Sequence, residues 1–222
     1  MSRKILKMEN FLFDFDGTIA DSGDAATLAT QACFKDFDLE IPTNDQVRYY
    51  MGVPIETFIP ELVEKQGKDF TEEQYNEMYQ SFREHYSEIE MQTTTLFPGM
   101  KTTLEQLKNE GKRLFVVSSK NSISLKRNLK HLGIASLFED LVGSDQVENY
   151  KPAPDGILIL LDRYHLDKKQ SVMIGDAKYD LQMGKRADIK TCGCLCDTFD
   201  KELLEKEHPT YLIEHPSDLL KL

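Results

Sequence analysis

Nowhere in this chain do about 18 apolar residues run together, so hydropathy offers no membrane-spanning helix. Basic residues are also in short supply. The 27 Lys and Arg are outnumbered by 38 Asp and Glu, giving a net charge of −11, and no Lys/Arg stripe stands out. This argues against nucleic acid as a partner, because backbone binding needs a basic surface. A small anionic substrate stays open, since the local charge of a site can oppose the net charge. MSRKILKMEN carries basic residues but no apolar signal core before the strand-like FLFDF, and we expect a cytoplasmic protein. The four cysteines, Cys33, Cys192, Cys194 and Cys196, lack both the CxxC spacing of zinc sites and a secreted disulfide framework. In TCGCLC the alternation puts three thiols on one face of a strand, and buried small hydrophobes are the expectation for them. His85, His131, His165, His208 and His215 form no HxxxH pair and are read as structural or surface groups.

What is present suits a folded, soluble chain: 40% apolar and 29% charged residues. Its 222 residues exceed one typical domain and fall short of two full ones, which suggests a large core with a smaller module. Strand-like runs cover Asn10 to Phe15, Arg113 to Ser118, Leu137 to Gly143, Ser171 to Gly175 and Ile189 to Leu195, with an edge strand at Thr210 to Ile213. Helical patterns follow them. Leu125, Leu129 and Leu132 recur at helical spacing with Gly133 placed to stop the helix, another helix starts near Pro154, and a third near Tyr179 carries Leu181 and Met183. Such alternation predicts an α/β fold, a Rossmann-like parallel sheet with helices on both faces. The stretch from about Ala20 to Leu96 breaks the pattern. It is helical in period and rich in Glu, Gln, Tyr and Phe, and Phe97-Pro98-Gly99 marks the return. We therefore expect a core of residues 1–19 and 97–222 and a helical insertion of residues 20–96 after the first strand.

Four polar segments fall at strand ends or in the turns after them. FLFDFDGT, Phe11 to Thr18, ends a strand in Asp14 and Asp16 and turns at Gly17. Two ionised carboxylates about 4 Å apart repel by roughly 4 kcal/mol at an effective dielectric near 20, so the pair needs a cation or a shared proton. Magnesium, bound through hard oxygens, supplies one. One carboxylate can then attack phosphorus while the other handles the leaving-group proton. Gly17 lets backbone amides approach a phosphate. VVSSKN ends the next core strand in Ser118 and Ser119, hydroxyls suited to a phosphate oxygen at a helix N-terminus. In YKPAPD, Lys151 is held by two prolines ahead of a helix and could offset phosphate charge. In VMIGDAKYD, Asp176 at a strand end could complete an oxygen-ligand set, with Asp180 as a supporting contact. Each has an ordinary alternative: an acidic turn, a plain Ser or Asn N-cap, an exposed lysine beside a Pro-started helix, a capping Asp176. Their common place on the carboxyl edge of the sheet, where a pocket forms, favours one shared site.

DFDGT, the VVSS strand end, KPAPD and GDAKYD, in this order from Phe11 to Asp180, resemble the four motifs of the haloacid dehalogenase-like hydrolase superfamily. The resemblance implies that Asp14 is the nucleophile and Asp16 the general acid, later the base for water. It implies that Ser118 binds phosphate and that Lys151 stabilises the nucleophile and the transferring group. Magnesium would sit between the Asp14 side chain, the Asp16 carbonyl and Asp176, with Asp180 in support. The dehalogenase branch lacks the second aspartate of the first motif, so Asp16 points to phosphate.

The insertion resembles the family's helical cap, which closes over the pocket and selects the substrate. Within it, Tyr50-Met51-Gly52-Val53-Pro54 is similar to the loop that relatives lower toward the substrate, with Gly52 as the candidate contact. Arg48 and Tyr50 could meet a leaving group, although an exposed basic or aromatic residue on a helix is the plainer reading. The phosphoglycolate phosphatase-like branch is the most similar. The expectation is thus a magnesium-dependent phosphatase acting on a small phosphorylated metabolite through an aspartyl-phosphate, as a monomer or homodimer. The alternatives are a beta-phosphoglucomutase-type mutase, an inorganic pyrophosphatase and, from another class, a non-catalytic phospho-acceptor module.

Overall fold

The structure, a computed structural model, describes residues 7–50, 53–196 and 201–222. The strands are β1 (Asn10–Phe13), β2 (Ala20–Asp21), β3 (Thr95–Leu96), β4 (Arg113–Val117), β5 (Asp140–Val142), β6 (Ser171–Gly175), β7 (Lys190–Cys194) and β8 (Tyr211–Ile213). Six of them form one sheet in the order β5-β4-β1-β6-β7-β8, and all its pairings are parallel. β2 and β3 make a separate two-stranded sheet.

The period-two pattern of β1 decides which side chains face which layer. Phe11 and Phe13 belong to one apolar cluster with Leu114, Val116, Val172 and Ile174. Leu12 belongs to the other with Phe115, Val117 and Met173. Helices cover both faces, as the alternation of patterns predicts. On the first lie α5 (Met100–Asn109) through Met100, Leu104 and Leu107, and α6 (Ser122–His131) through Leu125 and Leu129. On the second lie α7 (Asp155–Arg163) through Ile157, Leu160 and Leu161, and α8 (Lys178–Arg186) through Met183. Phe11, Leu12 and Phe13 are all fully buried, each burial stabilising the sheet by roughly 1.5–3 kcal/mol. Asn10, polar in this setting, donates from Nδ2 to Ser171 Oγ at 3.1 Å, which offsets its desolvation. A last helix, Lys201–Lys206, precedes β8.

The chain divides into two compact units, one taking in the chain up to Asp21 and again from Leu96 to Leu222, the other running from Ser22 to Thr95. The second is helical: α1 (Gly23–Asp36), α2 (Asn44–Arg48), α3 (Ile55–Glu64) and α4 (Glu72–Thr93). Thr71 opens the last of these with a reciprocal cap, in which its hydroxyl accepts from Gln74 N and its own N–H donates to Gln74 Oε1. Ala29, Cys33, Phe34, Phe58, Ile59, Leu62, Met78 and Phe82 form its core. No helix of the described residues is long and apolar enough to cross a membrane.

One cysteine expectation is corrected. Cys33 and Cys192 are buried free thiols, but Cys194 and Cys196 form a disulfide. Neighbours on one face of a straight strand lie roughly 6.6 Å apart at two rises of about 3.3 Å. Cys196 lies past the end of β7, where the chain bends, and its Cα is only 5.4 Å from that of Cys194.

Candidate active site

In a parallel sheet all strands end on the same edge, and β1 lies between β4 and β6, on opposite sides of which the chain order reverses. The crevice outside the carboxyl ends of these strands is where an open α/β sheet holds a ligand. The turns after β1, β4 and β6 bring Asp14, Ser118 and Asp176 to that edge, and the Lys151 loop reaches it ahead of α7.

Asp14 continues the β1–β6 ladder, its N–H donating to Ile174 O at 2.8 Å, and its carboxyl is nearly buried. The Lys151 ammonium donates to Asp14 Oδ1 and to Asp180 Oδ1, both at 2.7 Å. Asp180 is buried and accepts at Oδ2 from Ala177 N–H, at the start of its own helix. Asp176 does not cap that helix. Its Oδ1 accepts a 2.6 Å bond from Thr18 Oγ1. Asp14, Asp176 and Asp180 each offer a carboxylate oxygen within 4.8 Å of the others, an arrangement able to hold a metal ion. Gly17 adopts φ +79°, and a Cβ there would lie 2.3 Å from Asp176 Oδ2, so only glycine fits this turn.

Charge in this cluster is unbalanced. Burial pushes the Asp14 carboxyl up to about 7, against the lowering effect of Lys151 and with a further upward push from Asp180. Asp176 is raised well above the usual carboxylate range, by burial and then by Asp180 and Asp14. Burial opposes the Lys151 charge, but the two carboxylates outweigh it and hold its pKa above the ordinary value. Three acids against one ammonium leave excess negative charge. The all-oxygen donor set suits a hard divalent cation, which would relieve that excess.

Asp16 stands apart from the cluster: its Oδ1 accepts from Lys120 Nζ at 3.0 Å. Ser118 is buried, and its Oγ accepts from Lys120 N–H at 3.1 Å, which leaves the hydroxyl its own proton to donate. Ser119 is exposed. Both serines line a small cleft with Gly143, Tyr150 and Lys151. Asn121 caps α6 by accepting from Ser124 N–H, the ordinary role weighed for it.

Gly52 lies outside the described residues. Tyr50 is buried in the core of the helical unit, and its hydroxyl accepts from Lys65 Nζ at 2.7 Å, while Arg48 pairs with Asp24 at 3.2 Å. Sequence reasoning assigned no role to Thr18 or Lys120. The available signal was their position beside strand-end motifs, but each partner is more than 100 residues away in sequence.

The family model described as haloacid dehalogenase-like hydrolase matches residues 11–194. A phosphoglycolate phosphatase of Aquifex aeolicus (strain VF5) is 34% identical over 215 residues, covering 97% of this chain and 96% of its own. The pyrophosphatase PpaX of Oceanobacillus iheyensis is 27% identical over 218 residues, covering 98% and 97%. A crystal structure of a predicted phosphoglycolate phosphatase from Haemophilus somnus 129pt superposes with a TM-score of 0.90, covering 96% of this chain and 97% of its own at 24% identity, a likeness of fold.

Proposed function

The chain belongs to the haloacid dehalogenase-like hydrolases, and from that premise we propose that it hydrolyses a small phosphate monoester through an aspartyl-phosphate on Asp14, with magnesium as cofactor. The observation that carries this reading is the lysine bridge. Lys151 Nζ lies 2.7 Å from both Asp14 Oδ1 and Asp180 Oδ1, which orients the Asp14 carboxylate and sets positive charge beside the point of attack.

An Asp14 oxygen attacks phosphorus, and the bond between phosphorus and the ester oxygen breaks. Asp16 passes its proton to that departing oxygen. Asp16, now a carboxylate, takes a proton from water, the water oxygen attacks phosphorus, and the bond to Asp14 breaks to release inorganic phosphate. The Ser118 hydroxyl donates to a phosphoryl oxygen, Ser119 binds alongside it, and Lys151 offsets the charge that builds there; the Gly17 N–H is taken by Ala20 O at 2.8 Å, so that glycine contributes the turn rather than a donor. Asp14, Asp176 and the Asp16 carbonyl are the ligands we assign to magnesium, with Asp180 holding Lys151 in support; when bound, the ion supplies positive charge to the nucleophile and the phosphoryl oxygens. Residues 20–96 take the part of the helical cap that selects the ester, and the rest that of the catalytic core.

The Aquifex relative's name favours phosphoglycolate as substrate, and the PpaX relative supports pyrophosphate as a second reading. A screen of phosphorylated metabolites and pyrophosphate, with and without magnesium, decides between them. Asp14→Asn is the control. Turnover that survives this substitution, or that persists in EDTA, sinks the mechanism.

A further inference from the structure

Lys120 follows the end of β4, and its ammonium meets Asp16 Oδ1 at 3.0 Å across 104 residues of sequence. The two partners are unequally held. The lysine side chain is 8% exposed and the aspartate side chain 25%. Lys120 N–H donates to Ser118 Oγ at 3.1 Å, and its carbonyl accepts from Ser144 N–H at 3.1 Å. The ammonium lies 5.1 Å from the centroid of the fully buried Phe15 ring, in cation–π range. Close packing fixes the turn as well: a Cβ on Gly143 would stand 2.8 Å from the Lys120 carbonyl oxygen and 2.4 Å from Ser122 N. An exposed pair of flexible side chains gains little because both must be ordered. Here the lysine is already ordered, so the cost falls on Asp16 alone.

We propose that Lys120 is the positioning residue for Asp16, holding its carboxyl in the orientation from which it protonates the departing ester oxygen. The inference rests on the reading of Asp16 as general acid. A carboxylic acid accepts a hydrogen bond through one oxygen and carries its proton on the other. The bond at Oδ1 fixes how the Asp16 carboxyl is turned toward the site. Proton transfer needs an approach of about 2.6–3.2 Å, which a freely rotating carboxyl on a turn samples only part of the time. The proton goes from Asp16 to the ester oxygen as its bond to phosphorus breaks, and Lys120 keeps all of its own.

The test compares phenyl phosphate with p-nitrophenyl phosphate, whose leaving group departs without protonation. The readout is kcat/KM, which reports transfer to Asp14 before water enters. In Lys120→Met we expect a roughly 10–100-fold loss on phenyl phosphate, a fraction of the 100–10,000-fold typical of a general acid, and less than about threefold on the nitro ester. Lys120→Arg should restore most of the loss. Added to Asp16→Asn, Lys120→Met should cost nothing more, because the residue acts through the one already removed. Equal losses on the two esters, or an additive loss in the double variant, overturn the proposal. Asp16→Asn alone separates the premise from the inference. If it affects both esters equally, Asp16 is not the acid and the positioning role goes with it; if it selectively affects phenyl phosphate while Lys120→Met does not, only the positioning role fails. Melting temperatures check folding, and Lys120→Gln replaces the Met variant if that one does not fold.

Discussion

Thr18 Oγ1 donates a 2.6 Å hydrogen bond to Asp176 Oδ1, tying the turn after β1 to the end of β6. Thr18 is completely buried, so nothing from solvent can replace the bond. Thr18→Val keeps the shape and removes the donor. Contacts of this kind behind a metal ligand, the role proposed for Asp176, typically contribute 10–100-fold to metal affinity or activity. We expect the magnesium concentration for half-maximal turnover to rise by roughly that factor, while kcat at saturating magnesium falls less. An unchanged magnesium titration would remove Asp176 from the ligand set.

The cluster also predicts a pH dependence of stability. Asp14 is pushed from 3.8 up to about 7 by burial, so the folded state binds this proton more tightly than the unfolded chain does. Stability linked to it is complete below about 4 and is lost as pH rises toward about 7. Asp14→Asn cannot ionise and escapes the loss. In EDTA the variant should gain melting temperature relative to the parent as pH goes from 4 to 7, and magnesium should narrow the gap at pH 7. A difference independent of pH contradicts the buried-charge account.

Thiol counting tests the cysteines. Cys33 and Cys192 are buried, and burial pushes their thiols up to about 11 and about 12, so neither is a thiolate near neutrality. The folded protein should react slowly with a thiol reagent. In denaturant without reductant it should titrate two thiols, and after reduction all four. Four without reductant would mean that Cys194 and Cys196 are not joined.

In the helical unit, Thr71→Ala removes the hydroxyl that accepts from Gln74 N–H at the start of helix Glu72–Thr93. A lost cap of this kind costs about 1 kcal/mol. Denaturant unfolding should show that loss with an unchanged m-value.

Much of the core was legible because burial on both faces writes itself into every second residue. Phe11, Leu12 and Phe13 announce a central strand, and Leu125 and Leu129 a helix against it. Boundaries were less so. The apolar pattern carries the first strand to Phe15, but the strand spans Asn10–Phe13 and the chain turns at Gly17. The pattern starts a strand at Leu137, yet residues Ala135–Leu137 coil as a 3-10 turn and the strand spans Asp140–Val142. Two-residue strands such as Ala20–Asp21 carry no period to read. The motif residues could be listed from sequence, but not who bonds whom. That Lys120 reaches Asp16 depends on a turn fixed by Ser144, and the Cys194–Cys196 bond on a bend past a strand end.

The reach of Lys151 to Asp14 also sets a timetable. The ammonium that pairs with Asp14 is translated 137 residues after it. At about 5–20 residues per second, the acid waits roughly 7–27 s for that partner. β1 waits too, since both of its neighbours in the sheet, β4 and β6, are translated after it. A nascent chain halted before Lys151 therefore carries Asp14 without the charge that orients its carboxylate, and the buried cluster is completed only late in synthesis.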